Sequence, residues 1–489
     1  MRRRFLDAGS SGQRATSTRH FLTRRQAIGQ VLLGACLTKL GSFPAFAEVA
    51  AGYSKDTLQA IAKAGLIKCF TQKGAGDNDG EDWSNAMPLE WLSKSVALAE
   101  PGATLLIGFD PAEIRPVPLG RKRKRVAIRA SGEAGKPISV VAGLISPDGK
   151  VGPAQSGEDT LFFKSDEPWS VERYGRVNGP PCYLAIERNA SHLLLAGFRV
   201  AGTYADGFFK FRAGKDQTAN FSDVVFSDIY GTDVGRVIET DKGSKLSNIT
   251  ITDCKAFGII RGFARFYHIS DSVLRNLDLD ANNLDAGGKN VCQLIAVNSG
   301  ANLLFENVVM KNAISTRKLD DGKEGYVQGD GIVCELKTRD VTIRNCHASG
   351  IGDGAFDLKS KNVTIEDSTT DNCKFGPRLW SIGDNLIRNC SFTNPVSRAT
   401  TMGACAQICG TAEIVDTKLQ AGKGTSAIAL NQQKNHEAPI IRMRGGAIQL
   451  DDDATLAYSN AGGTLELHDV AVNGEVRTET YTFDGNSIR

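Results

Sequence analysis

Four stretches of the chain share one pattern of apolar and polar positions: Asn248-Ile-Thr-Ile-Thr-Asp-Cys254, Asp340-Val-Thr-Ile-Arg-Asn-Cys346, Asn362-Val-Thr-Ile-Glu-Asp-Ser368 and Asn385-Leu-Ile-Arg-Asn-Cys390. Apolar residues alternate, then comes Asp or Asn, then a small residue. Such alternation describes a strand with one buried face. With looser copies included, the Asp or Asn markers are Asp228, Asp253, Asn276, Asn307, Asn345, Asp367 and Asn389, spaced by 25, 23, 31, 38, 22 and 22 residues. The basic period is 22 residues, with insertions in some coils. A coil this thin cannot bury its own apolar face and must stack on its neighbours. The pattern therefore predicts an all-β solenoid, a right-handed parallel β-helix. Asp and Asn at the marker tolerate the left-handed backbone of a sharp corner, and stacked Asn side chains can bond one another along the axis.

The organisation expected is an export signal at 1–47, an N-terminal cap with entry coils at 48–145, the β-helix at 146–435 and terminal coils or a C-terminal cap at 436–489. A short helix-like stretch precedes Leu98, and Ile440-Ile-Arg-Met-Arg444 and Thr464-Leu-Glu-Leu-His-Asp469 still alternate near the end. The leader carries Arg24-Arg25, an apolar run from Ile28 to Leu40, and Ala45 and Ala47 before Glu48, which fits a twin-arginine export signal. Export leads to the periplasm or the outside. Leu33-Gly-Ala-Cys36 loosely matches a lipobox, so lipid anchoring through Cys36 is the alternative. No stretch after residue 47 is apolar enough to span a bilayer.

Removing the leader leaves 50 of the 58 Lys and Arg and 54 of the 55 Asp and Glu, a slightly acidic chain that argues against a nucleic-acid partner. Cys254, Cys346 and Cys390 share one slot of the repeat and are expected as small apolar side chains inside the solenoid. Cys405 and Cys409 are the one close pair, hence the candidate for a disulfide. No CxxC pair or His-x-His cluster proposes zinc.

Aligned by the marker, each coil has a further strand with an outward face: Phe209-Lys-Phe-Arg212, Val237-Ile-Glu-Thr-Asp241, Arg265-Phe-Tyr-His268, Val333-Cys-Glu-Leu-Lys337, Phe356-Asp-Leu-Lys359 and Arg378-Leu-Trp380. Leu336, Leu358 and Leu379 are expected to point inward. Glu335, Asp357 and Arg378 would then form one outward row, and Lys337, Lys359 and Trp380 another. Tyr267 and Arg265 would extend the same face, and His268 would turn into the core. Gln328-Gly-Asp-Gly-Ile332 and Gly352-Asp-Gly-Ala-Phe-Asp-Leu-Lys359 are near copies one coil apart and would gather Asp330, Asp353 and Asp357. The bland reading of Asp-Gly is a turn, and of outward charges a solvated face.

Pro101-Gly-Ala-Thr-Leu-Leu-Ile107 followed by Gly135-Lys-Pro-Ile-Ser-Val-Val-Ala142 resembles the opening coils of secreted polysaccharide lyases of the pectate-lyase-like β-helix superfamily. The Asp-Gly copies resemble a motif of β-helix pectate lyases that use calcium and a lysine base. The resemblance implies calcium at Asp330, Asp353 and Asp357, although Gly352 stands where that motif has a second Asp and no lysine here matches the base.

The expected activity is cleavage of an acidic polysaccharide by β-elimination. That reaction needs a cation to neutralise the uronate carboxylate, a base for the carbon-bound proton, and a platform for the sugar. Lys359, Arg378 and Glu335 are the candidate catalytic groups, and Trp380, Lys337, Tyr267 and Arg265 the candidate sugar contacts. A glycoside hydrolase, which needs two spaced carboxyls, or a uronate epimerase are alternatives within enzymes. The rival class is a non-catalytic polysaccharide-binding or cell-surface β-helix. The protein is expected to act as a monomer.

Overall fold

The computed structural model describes residues 67–488 except 113, 120–124, 147–148, 150, 153–160, 166–169, 172–181, 216, 286–290, 319–323, 382, 400, 434–436 and 486. The export signal with Cys36, the first four residues of the basic run at 121–125, and Asp320-Asp321 lie outside the described residues.

The predicted solenoid is present. Each regular coil has three strands, as in Lys361–Glu366, Thr369–Asp371 and Phe375–Leu379. Each strand pairs in parallel with its equivalent one coil on: Val363 lies on Val341, and Ile387 on Ile365. The first-strand register runs Ile251, Leu274, Phe305, Ile343, Ile365, Ile387, Ile414, Met443 and Leu467 without a break. All of these are fully buried. Each buried side chain of this size contributes about 1.5–3 kcal/mol, which a single coil could not collect in isolation.

The marker residues are corners. Asp228, Asp253, Asn276, Asn307, Asn345, Asp367 and Asn389 all have φ between 49° and 57°. Asn276 donates its amide to Asp253 at 2.9 Å, Asn307 to Asn276 at 2.8 Å and Asn389 to Asp367 at 2.5 Å, so the expected axial ladder exists. A second ladder precedes the first strand, where Asn302 donates to Asp271 and Asn362 to Asp340. The sequence pattern shows these residues only as strand starts, because their corner role needs the register.

Two expectations are corrected. Cys254, Cys346 and Cys390 are buried as foreseen, but no disulfide joins Cys405 to Cys409, and all ten described cysteines are free and buried. Four residues apart along extended chain is about 13 Å, beyond disulfide reach. His268 is half-buried in the bend between Phe266 and Ile269, with Nδ1 3.0 Å from the Ser299 hydroxyl, rather than in the core.

At the N-terminal end, helix Leu92–Ala97 buries Leu92 and Val96 over the first coils. At the other end, Gly463–Val472 turns through Asn473 and Gly474, both with positive φ, into the antiparallel strand Glu475–Phe483. That hairpin ends the parallel stacking. No helix of the described residues is long and apolar enough to cross a membrane.

Candidate functional site

The outward row of the third strand defines the site. Coil by coil it reads Lys210, Glu239, Arg265, Ala296, Val333, Asp357, Arg378, Gln407, Ala429 and Tyr458. Between Arg265 and Asp357 stand only the short side chains of Ala296 and Val333. Around this part of the face lies a cleft of about 440 Å³. Arg236, Arg261 and Arg265 line one side, and Asp330, Asp353, Asp357, Lys359, Arg378 and Trp380 the other. A second cleft of about 310 Å³ shares the three arginines and adds Tyr267. The Arg265 guanidinium lies 4.9 Å over the Tyr267 ring.

The three expected aspartates do face this cleft, and two of them, Asp353 and Asp357, are paired with cations. Arg378 donates from Nη1 to Asp353 at 2.6 Å, from Nε to Gln407 at 2.9 Å, and stands 3.8 Å from Asp357. Its stem fits because residue 354 is glycine: a Cβ there would lie 2.9 Å from Arg378 Cδ. Asp357 accepts the indole N–H of Trp380 and lies 3.5 Å from Lys359 Nζ. Lys359 also reaches both carboxylate oxygens of Glu335 at 3.0 Å. Asp330 accepts the Gly354 amide at 3.2 Å and a Gln293 amide hydrogen at 3.4 Å. Among the described residues no three His, Cys, Asp or Glu side chains are grouped to hold a metal ion.

Electrostatics separate these groups. Burial, reinforced by the charges of Asp357 and Asp353, pushes the Asp330 carboxyl up to about 8. Burial also raises Asp353, against the pull of Arg378. Lys359 and Arg378 are raised as well, for a different reason. Burial opposes their charge, but Asp357 and Glu335 hold the proton on Lys359, and Asp353 and Asp357 hold it on Arg378. Both are held as cations rather than as the neutral base that proton abstraction needs.

Register explains three further departures. Leu336 is 71% exposed, and Cys334 takes the inward slot in line with Leu358 and Leu379. One extra residue beyond Cys334 causes this, since Val297 pairs with Cys334 while Ser299 pairs with Lys337. Val333 therefore stands in the row with Asp357 and Arg378, while Glu335 joins Lys359 beside it. Lys337 is exposed outside both rows. The Asp-Gly copies are also offset by one, because Asp330 stacks on Gly354, not on Asp353. Trp380 lines the cleft, but the Arg378 guanidinium covers its ring at 4.5 Å, leaving less of it as a sugar platform.

Four groups escaped sequence reasoning: Arg236, Arg261, Tyr326 and Lys374. Tyr326 sits on the strand Glu324–Gln328 of a two-stranded excursion, the insertion behind the 38-residue marker spacing. Its hydroxyl donates to Asp353 at 2.5 Å, and its ring covers Lys374 Nζ at 3.4 Å. The Lys374 side chain is 0% exposed, with Asp353 3.7 Å away, and burial lowers its ammonium to about 8. The irregular spacing was the one signal in the sequence that pointed there.

No protein-family model matches the chain, and no curated protein matches it. Solved structures similar to it include pectate lyase Pel9A at 13% identity (84% of this chain, 81% of that one, TM-score 0.35). A rhamnogalacturonan lyase matches at 11% (80% and 84%, TM-score 0.38). A GH136 lacto-N-biosidase from Eubacterium ramulus matches at 9% (84% and 69%, TM-score 0.39). The fold assignment rests on the strand register itself.

Proposed function

We propose that the protein is an exported carbohydrate-active enzyme that binds an acidic polysaccharide in this cleft and cleaves it by β-elimination. The observation that carries the reading is Asp330, a carboxylic acid that keeps its proton to about pH 8, in a cleft also lined by Arg236, Arg261 and Arg265. The arginines suit the uronate carboxylate, whose neutralisation acidifies the adjacent carbon-bound proton. Asp357, oriented by the Trp380 indole, takes that proton, and Asp330 gives its own to the departing glycosidic oxygen. Lys359 and Arg378 act as fixed positive charges. The basic and then apolar leader supports export, to the periplasm or beyond.

Calcium has no part in this reading, because Arg378 and Lys359 already neutralise the carboxylates that would hold it. Hydrolysis is the second reading, favoured by the same Asp330 and Asp357, since an acid and a carboxylate are the parts it requires.

The test is incubation with a panel of uronic-acid polymers, following new reducing ends and the ultraviolet absorbance of a conjugated double bond. Both signals together support the lyase. Reducing ends without absorbance move the assignment to a hydrolase. Tight binding with neither signal makes the protein a binding module and overturns the enzymatic reading.

A further inference from the structure

Asp353 is held from two separate parts of the chain. Its Oδ2 accepts the Arg378 guanidinium at 2.6 Å, and its Oδ1 accepts the Tyr326 hydroxyl at 2.5 Å. Arg378 belongs to the next coil, whereas Tyr326 belongs to the strand Glu324–Gln328 of the excursion. Hydrogen bonds to an ionised carboxylate are short and strong. With one oxygen held by the tyrosine, the carboxylate resists turning, and the other oxygen stays aimed at the arginine.

Other partners for these charges lie close by. Lys374 Nζ is 3.7 Å from the same Oδ1, beyond hydrogen-bond length, and has no hydrogen-bond partner among the described residues. The Tyr326 ring covers it instead, at 3.4 Å. Arg378 Nη1 is 3.8 Å from Asp357, the carboxylate read above as the base. If Asp353 turned towards Lys374, Arg378 would lose its partner and close on Asp357. A carboxylate engaged by a further cation gives up basicity. The Tyr326 hydroxyl opposes both moves.

The backbone seats the strand that carries it. Gly329 has φ 117°, and a Cβ there would collide with the Ala313 carbonyl oxygen. A Cβ on Gly352 would collide with the Gln328 carbonyl oxygen. Glycine at both positions lets the end of the excursion lie directly on the coils. Gln328 lines the cleft, but Tyr326, two residues earlier, does not. The tyrosine is 38% exposed, so its specific contribution is the hydroxyl bond more than burial of its ring.

We propose that Tyr326 is a positioning residue for the cleft: its hydroxyl fixes Asp353, so that Arg378 is held there and kept off Asp357. The proposal rests on the reading of Asp357 as the base of a cleavage reaction. It makes the excursion a working part of the site, with Tyr326 acting through Asp353 and not on the sugar.

Tyr326→Phe tests this, because it keeps the ring over Lys374 and removes only the hydroxyl. On a uronic-acid polymer that the protein cuts, kcat is expected to fall about tenfold or more while KM stays within about a factor of two. An unchanged kcat overturns the proposal, and so does a KM raised several-fold, which would make Tyr326 a sugar contact. A second readout needs no turnover. The Arg378 guanidinium lies 4.5 Å over the Trp380 ring, so Trp380 emission reports where the arginine sits. Tyr326→Phe is expected to change the tryptophan emission, and the change to vanish when both proteins also carry Trp380→Phe. Emission identical to wild type, or a change that persists without Trp380, overturns the proposal. If no polymer is cut, the cleavage reading fails alone, and the emission still decides whether Tyr326 holds Arg378.

Discussion

Arg378 donates a 2.6 Å hydrogen bond to the carboxylate of Asp353, and both side chains are almost completely buried. This contact turns a run of acidic repeats into an ion-paired wall of the cleft. Coulomb attraction between the pair is strong in such surroundings only because both partners are present: either one alone would be a buried, uncompensated charge.

Arg378→Ala should therefore lower stability by on the order of 3 kcal/mol in denaturant unfolding and abolish turnover. Gln407 loses a partner in the same step. Combining the change with Asp353→Asn should recover part of the stability and none of the activity. Full additivity of the two losses would argue against the pairing.

Asp330 makes both activity and stability depend on pH. Its folded-state value, about 8, lies above that of the unfolded chain, about 4. Between these values the native state binds the extra proton, so its stabilising effect is complete below pH 4 and disappears as pH rises to 8. Asp330→Asn should flatten that part of the stability profile and raise the melting temperature at pH 8. Activity of the wild type should fall as pH passes about 8, and the Asn variant should have lost it throughout.

Chelation should change nothing. Treatment with EDTA is expected to leave the rate within a factor of two, and added calcium to leave the melting temperature unmoved. A calcium-dependent rise in either would mean that Arg378 and Lys359 yield their carboxylates to a cation.

Asn276 tests the corner ladder. Its φ is 54°, and it links Asp253 to Asn307. Asn276→Ala should cost roughly 1–2 kcal/mol, because alanine strains in the left-handed region. Asn276→Gly should recover most of that, since the exposed side-chain bonds add little. Urea midpoints of the two variants decide between backbone strain and the ladder as the source.

The solenoid was legible because its repeat is local. Alternation, the 22-residue period and the Asp or Asn marker are all properties of short segments, and the corners at Asp228 to Asn389 follow directly. The coil carrying Glu335 to Lys337 misled, because one inserted residue changes which side chains face out and a repeat alignment carries no record of where the extra residue is absorbed. Lys374 and Tyr326 were invisible for another reason. Their meaning lies in a contact between an excursion and the following coils, 48 positions apart in the chain.

By itself the sequence determined the architecture, the strand face on which charged groups collect, and the acidic residues Asp330, Asp353 and Asp357 among them. These follow from side-chain periodicity, which each coil expresses independently. Only the tertiary structure decided which charges meet: Arg378 with Asp353, Lys359 with Glu335 and Asp357, and Asp330 left to hold its proton. Pairing depends on register across coils and on burial, and both arise only when the coils stack.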